Sequence, residues 1–125
     1  MASQEIIRTL TSEETFRLWL YEKTGFDIQL FKKVYKLENC ESNHIAWAVN
    51  PKDRDGTPSY GAYQFKPSTL LYYAKKYGYD INPEPQEIIN LAFDRRFVSE
   101  IVIKMIQDKS VNLKREFPVC SQKII

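Results

Sequence analysis

The chain has 125 residues, the size of a single domain, and 43% of them are hydrophobic, which is enough to bury a core. The formal net charge is only +2, and no stretch dense in Lys and Arg stands out, so the charge pattern argues against a nucleic-acid binder. No apolar run approaches the length of a membrane span, and residues 1–10 show no signal peptide. We therefore expect one monomeric domain over residues 1–125, without a membrane span, whose mild positive charge suits an anionic polymer as partner.

The first part of the chain has the pattern of two helices. The segment Thr11-Ser12-Glu13-Glu14 predicts a capping box with Thr11 as the N-cap, and Gly25 is suited to end the helix that follows. Asp27 can cap a second helix. Four residues at helical steps form the inner stripe of this second helix: Leu30, Val34, Leu37 and Glu41.

Turn-forming residues then interrupt the helical pattern between Asn50 and Tyr60. Pairs such as Asn50-Pro51 and Asp55-Gly56 favour turns, so we expect an irregular loop or a short two-stranded hairpin here. A third helix should begin near Pro67, which suits the first helical turn, and should end at Gly78.

The last third of the chain predicts a long fourth helix and a short one. The fourth helix should start at the segment Asn82-Pro83-Glu84-Pro85 and end near Asp108. Its apolar positions are Ile88, Ile89, Ala92, Phe93, Phe97, Ile101 and Met105. One short helix is expected in the tail, before Phe117-Pro118. The predicted fold class is mainly α.

Glu41 is the residue that points to chemistry. It continues an apolar stripe and stands beside the turn-rich loop, so partial burial should disfavour its anion and raise its pKa. A carboxylic acid that stays protonated near neutral pH can give a proton to the leaving oxygen of a glycosidic bond. From position alone, an ordinary surface Glu in a last helical turn is the competing interpretation.

Three short motifs follow one another at and after this residue. Glu41-Ser42 closes the second predicted helix, Ser59-x-Gly61-x-x-Gln64 follows the loop, and Pro67-Ser68-Thr69 opens the third helix. The ordered set resembles the lytic transglycosylases of the lysozyme-like superfamily, in their compact single-domain bacterial form. The resemblance is concentrated in residues 31–79 and extends to the tail cysteine, Cys120. Two departures are Tyr63, where the family has an aliphatic residue, and the lack of a later Ala-Tyr-Asn motif.

The resemblance implies a lysozyme-like helical domain with a short β-hairpin or loop element beside an active-site cleft. It implies that the substrate is the glycan strand of peptidoglycan, cut at the β-1,4 bond between N-acetylmuramic acid and N-acetylglucosamine. Glu41 would protonate that bond and then remove the proton of the 6-hydroxyl as a 1,6-anhydro ring closes. Such a reaction needs no cofactor and no metal, and it places the protein in the cell wall or periplasm, or among secreted proteins.

The same resemblance assigns roles around Glu41. Ser42 would orient the helix end, and Ser59 would hydrogen-bond near the acetamido group of the substrate or near the catalytic carboxyl. Gly61 would let the backbone approach a sugar, and Gln64 would line the cleft and bind polar sugar groups. The predicted substrate-binding set is Ser42, Ser59, Tyr60, Gly61, Tyr63 and Gln64, in which the two tyrosines offer flat walls to sugar rings.

Several residues leave alternatives open. Asp53 or Asp55 could serve as a second carboxylate that positions a water, which would make the protein a muramidase; turn chemistry is the interpretation that we favour for both. A single histidine, His44, is expected on a loop or rim and not at a metal site. Trp47 and Tyr73 could be further sugar walls or parts of the core. A weak peptidoglycan-binding module that keeps the cleft but lacks catalysis is the remaining alternative.

The two cysteines, Cys40 and Cys120, allow one intramolecular bond. Their number alone leaves two buried thiols equally open. A disulfide would join the helix of Glu41 to the tail, would stabilise the fold by roughly 4–5 kcal/mol in the chain-entropy model, and would imply an oxidising compartment.

Overall fold

The computed structural model describes residues 9–125. The expectation about a signal peptide concerns mainly residues 1–8, which lie outside the described residues. Within residues 9–125 the chain forms six α-helices, one 3-10 helix and a two-stranded antiparallel sheet. Their bounds are α1 Ser12–Lys23, α2 Ile28–Ser42, β1 Val49–Asn50, β2 Ser59–Tyr60, α3 Pro67–Lys76, α4 Pro85–Ala92, α5 Arg95–Gln107, α6 Leu113–Glu116 and the 3-10 helix Cys120–Lys123. The predicted mainly α fold with a short β-hairpin is confirmed.

The starts of α1 and α2 follow the predicted caps. The backbone N–H of Glu14 donates to Thr11 Oγ1 at 3.1 Å, and the Thr11 N–H donates to Glu14 Oε1 at 2.9 Å, which completes the capping box. The Asp27 carboxylate accepts from the N–H groups of Gln29 and Leu30 at the start of α2. The sequence therefore sets where the helix of Glu41 begins.

Two helices occupy the segment predicted as one, so the single fourth helix was wrong. α4 ends at Ala92 and α5 begins at Arg95. Asp94 between them has an extended backbone, and its carboxylate accepts from the N–H of Phe97 at 3.1 Å. Asp94 is thus an N-cap inside the segment. The apolar spacing continues across the break, which is why periodicity alone missed it.

The tail holds more structure than expected. The predicted short helix is α6, which ends before Phe117, and the 3-10 helix that follows was not foreseen. This 3-10 helix packs against α2, and Cys120 within it is bonded to Cys40 of α2 with an S–S distance of 2.04 Å. The choice between two thiols and a disulfide is therefore settled in favour of the disulfide.

The core lies where α1, α2, α3 and α5 meet. Its fully buried side chains include Leu20, Val34, Leu37, Leu70, Ile101 and Met105. Over the described part of the chain, no helix is both long and apolar enough to cross a bilayer. The same core backs the end of α2 and the residues before α3, which carry the site described next.

Candidate active site

A cleft of about 340 Å³ opens where α2 ends. It is lined by Glu41, by the loop between the two strands, by residues just before and within α3, and by the segment that precedes the 3-10 helix. The complete lining is Glu41, Asp53, Arg54, Asp55, Gln64, Lys66, Thr69, Arg115, Glu116, Pro118 and Val119. The structure thus places the predicted catalytic residue and the glutamine of the downstream motif in one groove.

The Glu41 carboxyl lies in this cleft with a strongly raised pKa. Burial raises its pKa from 4.5 to about 7, and the negative charge of Asp53 contributes further in the same direction. Among the described residues, no hydrogen bond to this carboxyl opposes the shift. A substantial fraction of Glu41 is therefore protonated at neutral pH, as a proton donor needs to be.

A tight reversal of the chain follows Glu41. Asn43 and His44 both have left-handed backbones, with φ of 56° and 63°. Ser42 supports the reversal, because its Oγ donates to the Glu38 carbonyl at 3.3 Å and accepts from the Ile45 N–H at 3.1 Å. Both contacts of Ser42 belong to the helix end. They agree with its expected orienting role, and they do not place it against a substrate.

Asp53 and Asp55 face the same cleft as Glu41. The Asp53 carboxylate accepts a hydrogen bond from Ser59 Oγ, which lowers its pKa, with the backbone N–H of Arg54 and the charge of Lys66 acting in the same direction. Asp55 accepts from the N–H and hydroxyl of Thr57, and these bonds lower its pKa. Asp55 therefore does perform the turn chemistry that we favoured.

Lys66 joins the two aspartates from the other side of the loop. Its Nζ lies 3.0 Å from Asp55 Oδ1 and 3.5 Å from Asp53 Oδ2, and it also donates to Ser59 Oγ at 3.3 Å. The loop thus presents an ionised carboxylate, Asp53, held by a hydroxyl and an ammonium group. Turn chemistry alone, the interpretation favoured from sequence, does not account for this arrangement.

The central part of the downstream motif is buried, which corrects three predicted roles. Ser59 is 0% exposed and donates to Asp53, not to Glu41. Gly61 is buried with φ of +86°, and a Cβ there would lie 1.9 Å from the Ala92 carbonyl oxygen, so its missing side chain serves the packing of α4 and not a sugar. Tyr63 is 0% exposed, with its hydroxyl 2.8 Å from Ser99 Oγ, so it is a core residue and not a sugar wall.

Gln64 is the member of the motif that reaches the cleft. Its backbone is left-handed, with φ of 55°, and its Nε2 donates to the carbonyls of Gly61 at 2.9 Å and Ala48 at 3.2 Å. Because the amide NH₂ is engaged in this way, the carbonyl oxygen is the part of the side chain that is left to accept from a ligand. Gln64 therefore lines the cleft, and its role in binding a sugar stays a prediction.

The aromatic residues do not line this cleft. Trp47 is 76% exposed but lies outside the cleft lining, and Tyr73 is 1% exposed. Tyr60 is half-buried and packs edge-on against Phe93 at 5.9 Å between ring centroids. The expected flat walls for sugar rings are thus absent from the described lining, which consists mostly of polar and charged residues together with Pro118 and Val119.

A buried charged network beside the cleft was missed by the sequence reasoning. Glu38, one turn before Glu41, is 0% exposed. Arg95 donates to both of its oxygens at 2.8 and 2.6 Å and to both oxygens of Glu13 at 2.8 and 2.9 Å, and Nδ1 of His44 lies 2.5 Å from Glu38 Oε1. The sequence did contain one indication of this network: Glu38 lies next to the apolar stripe of α2, and a glutamate that faces solvent is usually found away from such a stripe.

The described residues contain no group of three or more His, Cys, Asp or Glu side chains placed to hold a metal ion. His44 instead faces Glu38 and stacks on Tyr35, with ring centroids 4.2 Å apart. It lies in the turn that follows α2, as the sequence suggested, and its side chain is partly buried there.

Comparison of the chain with models of known protein families, with curated proteins and with solved structures finds no match. The geometry of the cleft and the motifs in the sequence are therefore the observations that bear on function.

Proposed function

We propose that this chain cuts the glycan strands of peptidoglycan at the β-1,4 bond between N-acetylmuramic acid and N-acetylglucosamine. The observation that carries the proposal is the half-buried Glu41 with a pKa of about 7 in a cleft that also holds Gln64. Such a carboxyl can donate a proton to a glycosidic oxygen at neutral pH and can afterwards act as a base. The order of motifs in the sequence supplies the choice of substrate.

The leading form of this proposal is a lytic transglycosylase. Glu41 gives its proton to the leaving oxygen, and the C–O bond breaks. The resulting carboxylate then removes the proton from the 6-hydroxyl of the muramyl sugar, whose oxygen forms the new bond to C1 and closes a 1,6-anhydro ring. Protons balance, since Glu41 begins and ends protonated. The Gln64 carbonyl oxygen is available to accept a hydrogen bond from the bound glycan.

A muramidase is the second candidate, and Asp53 is the observation that favours it. This carboxylate lies in the same cleft, its pKa is lowered, and its charge acts on Glu41. One protonated and one ionised carboxyl group in a single cleft is the arrangement by which glycosidases activate a water. In that case Asp53 would take a proton from water while Glu41 protonates the leaving oxygen.

Product analysis separates the two candidates. Purified peptidoglycan is digested and the soluble fragments are examined by mass spectrometry. Anhydro-muramyl ends support the transglycosylase, whereas reducing ends, which carry one additional water, support the muramidase. Binding of the protein without soluble fragments would make it a glycan-binding module and would reject catalysis.

Two variants assign the chemistry to residues. Glu41→Gln keeps the size of the side chain but cannot donate a carboxyl proton, so we expect activity to fall by orders of magnitude while the fold is retained. If the protein is a muramidase, Asp53→Asn should reduce activity nearly as much as Glu41→Gln. If it is a transglycosylase, Asp53→Asn should still form the anhydro product. Parental activity in Glu41→Gln would reject the proposed function in both forms.

The disulfide is compatible with action outside the cytoplasm, where peptidoglycan lies and where such bonds persist. This supports the proposal without identifying the compartment.

A further inference from the structure

The chain between Glu41 and Asp53 begins with an unfavourable turn. Asn43 and His44 are consecutive residues with left-handed backbones, and neither is glycine. Each such residue costs roughly 1–2 kcal/mol relative to the ordinary right-handed conformation. A turn of this kind persists only where other contacts hold it, and here those contacts come from the His44 side chain and from the Ser42 hydroxyl.

Two contacts hold His44. Its Nδ1 is 2.5 Å from Glu38 Oε1, and because a carboxylate only accepts, the imidazole nitrogen carries the proton and donates. Its ring stacks on Tyr35 at 4.2 Å with 27° between planes. Both partners belong to α2 and lie before Glu41, so the side chain that follows the helix end is tied back onto the same helix.

The groups that face His44 are themselves held in place by charge. Arg95, from the first turn of α5, forms paired hydrogen bonds with Glu38 of α2 and with Glu13 of α1. Tyr35 donates to Glu13 at 2.7 Å, and the guanidinium of Arg95 lies 3.6 Å from the ring centroid of Phe16. Three helices thus converge on Glu38, the acceptor of His44, and Glu38 cannot shift without breaking its paired hydrogen bonds with Arg95.

The far end of the same segment is also anchored. The Ala48 carbonyl accepts from the Gly61 N–H at 2.7 Å and from Gln64 Nε2 at 3.2 Å. From there the chain enters β1 and reaches Asp53. The path from Glu41 to Asp53 is therefore attached at its start by His44 on Glu38, and further along by Ala48 on the residues before α3 and by the pairing of β1 with β2.

We infer that His44, held by Glu38, is a positioning residue that sets the placement of Glu41 relative to Asp53. The inference rests on the proposed function, because that placement decides which carboxyl is protonated and whether a water fits between the two. The competing interpretation is that the His44–Glu38–Arg95 network only stabilises the fold. The two interpretations differ in what happens to Glu41 itself.

The test compares His44→Gly with His44→Asn. Glycine tolerates the left-handed turn but lacks the donor, whereas asparagine tolerates the turn and has an amide N–H to offer to Glu38. Tyr77→Phe is the matched control for a general loss of stability. It removes the hydrogen bond that Tyr77 donates to Asp108 at 3.0 Å, and both residues lie outside the cleft and outside the His44–Glu38–Arg95 network. His44→Ser is used in place of the glycine variant should that variant fail to fold.

The readout is the titration of the Glu41 carboxyl, followed by carbon NMR with carboxyl labelling, which does not depend on activity. In His44→Gly we expect the Glu41 pKa to fall by about one unit toward its ordinary value, as water reaches the carboxyl and Asp53 moves away. In His44→Asn the Glu41 pKa should stay within roughly a few tenths of a unit of its value in the parent. Tyr77→Phe should lower the melting temperature and leave the titration unchanged.

Parental titration of Glu41 in a folded but destabilised His44→Gly would overturn the positioning role and leave the proposed function standing. An equal shift in Tyr77→Phe would also overturn it, since general loosening would then suffice. Conversely, a shifted Glu41 titration in His44→Gly, together with a parent that cuts no peptidoglycan, would reject the proposed function and keep the structural coupling.

Discussion

Glu41 and Asp53 line one cleft, and the negative charge of Asp53 adds to burial in holding the pKa of Glu41 at about 7. Asp53 has the opposite shift, because Ser59 and Lys66 stabilise its anion. At neutral pH the two carboxyl groups therefore differ in protonation, which is the condition for dividing acid and base roles between them.

The pH dependence of cleavage follows from the Glu41 shift. The acid must be protonated at the start of the reaction, so we expect the rate on purified peptidoglycan to fall as pH rises through about 7. Asp53→Asn removes a charge that raises this pKa, and its falling limb should move to lower pH. A rate that stays level as pH rises from about one unit below to about two units above the shifted pKa would contradict this role of Glu41.

Stability should depend on pH through the same residue. The folded state raises the Glu41 pKa above its ordinary value of 4.5, so the contribution of Glu41 to stability is fully present below pH 4.5 and is lost as pH rises through about 7. Glu41→Gln should therefore match the parent in acid and be more stable than the parent above neutrality, by about 1–3 kcal/mol. Urea unfolding on either side of the shifted pKa measures this difference, and a pH-independent effect of the substitution would exclude it.

Gly61→Ala should damage the fold far more than its size suggests. The new methyl would lie 1.9 Å from the Ala92 carbonyl oxygen, at a φ of +86°. We expect a loss of at least about 3 kcal/mol, from the clash and the left-handed backbone together. Gly56→Ala is the matched control, because Gly56 has φ of +82° with nothing within 4 Å, and it should lose only about 1–2 kcal/mol. Thermal melts that rank the two variants equally would contradict the clash.

Tyr63→Phe tests the correction of a predicted sugar wall. The Tyr63 hydroxyl is buried against Ser99 at 2.8 Å, so its removal leaves the Ser99 hydroxyl without that partner and should cost about 1–2 kcal/mol of folding free energy. Activity per folded molecule should stay near that of the parent. A selective rise in KM, without loss of stability, would restore Tyr63 to the substrate-binding set.

The disulfide should contribute much of the stability of the chain. Cys40 and Cys120 are separated by 80 residues, and a loop of that length predicts a loss of about 4–5 kcal/mol in the double serine variant. Chemical unfolding of the oxidised parent, the reduced parent and the double variant provides the measurement. Equal stabilities for the three forms would show that the bond constrains little.

The helix starts could be predicted because their determinants are local. The capping box at Thr11 and the Asx cap at Asp27 each involve residues two or three positions apart. The break between α4 and α5 was missed although its determinant, the N-cap Asp94, is equally local. The apolar residues continue at helical spacing on both sides of Asp94, and this pattern favoured a single helix. The candidate cleft was predictable in part, because Glu41 and Gln64 carry recognisable sequence patterns.

The remaining features depend on contacts that no local pattern contains. Arg95 meets Glu38 across 57 positions of sequence and Glu13 across 82, so a buried carboxylate could be suspected but its partner could not be named. Tyr63 was likewise predicted to lie in the cleft, because its hydrogen-bond partner Ser99 is 36 positions later in the sequence and could not be identified from a local pattern. For Gly61, the neighbour that excludes a side chain is a carbonyl of α4. A glycine in the sequence does not indicate which group packs against it.

The place of the disulfide has a consequence for when the cleft is complete. Cys40 immediately precedes Glu41, and Cys120 immediately follows Val119, which lines the cleft. In a reducing cytosol the C-terminal wall would be attached by packing alone, and a newly made molecule would hold its substrate poorly. If the proposed function holds, formation of this disulfide would act as a maturation step that completes the cleft. Recombinant material purified without oxidation is expected to underestimate the activity for the same reason.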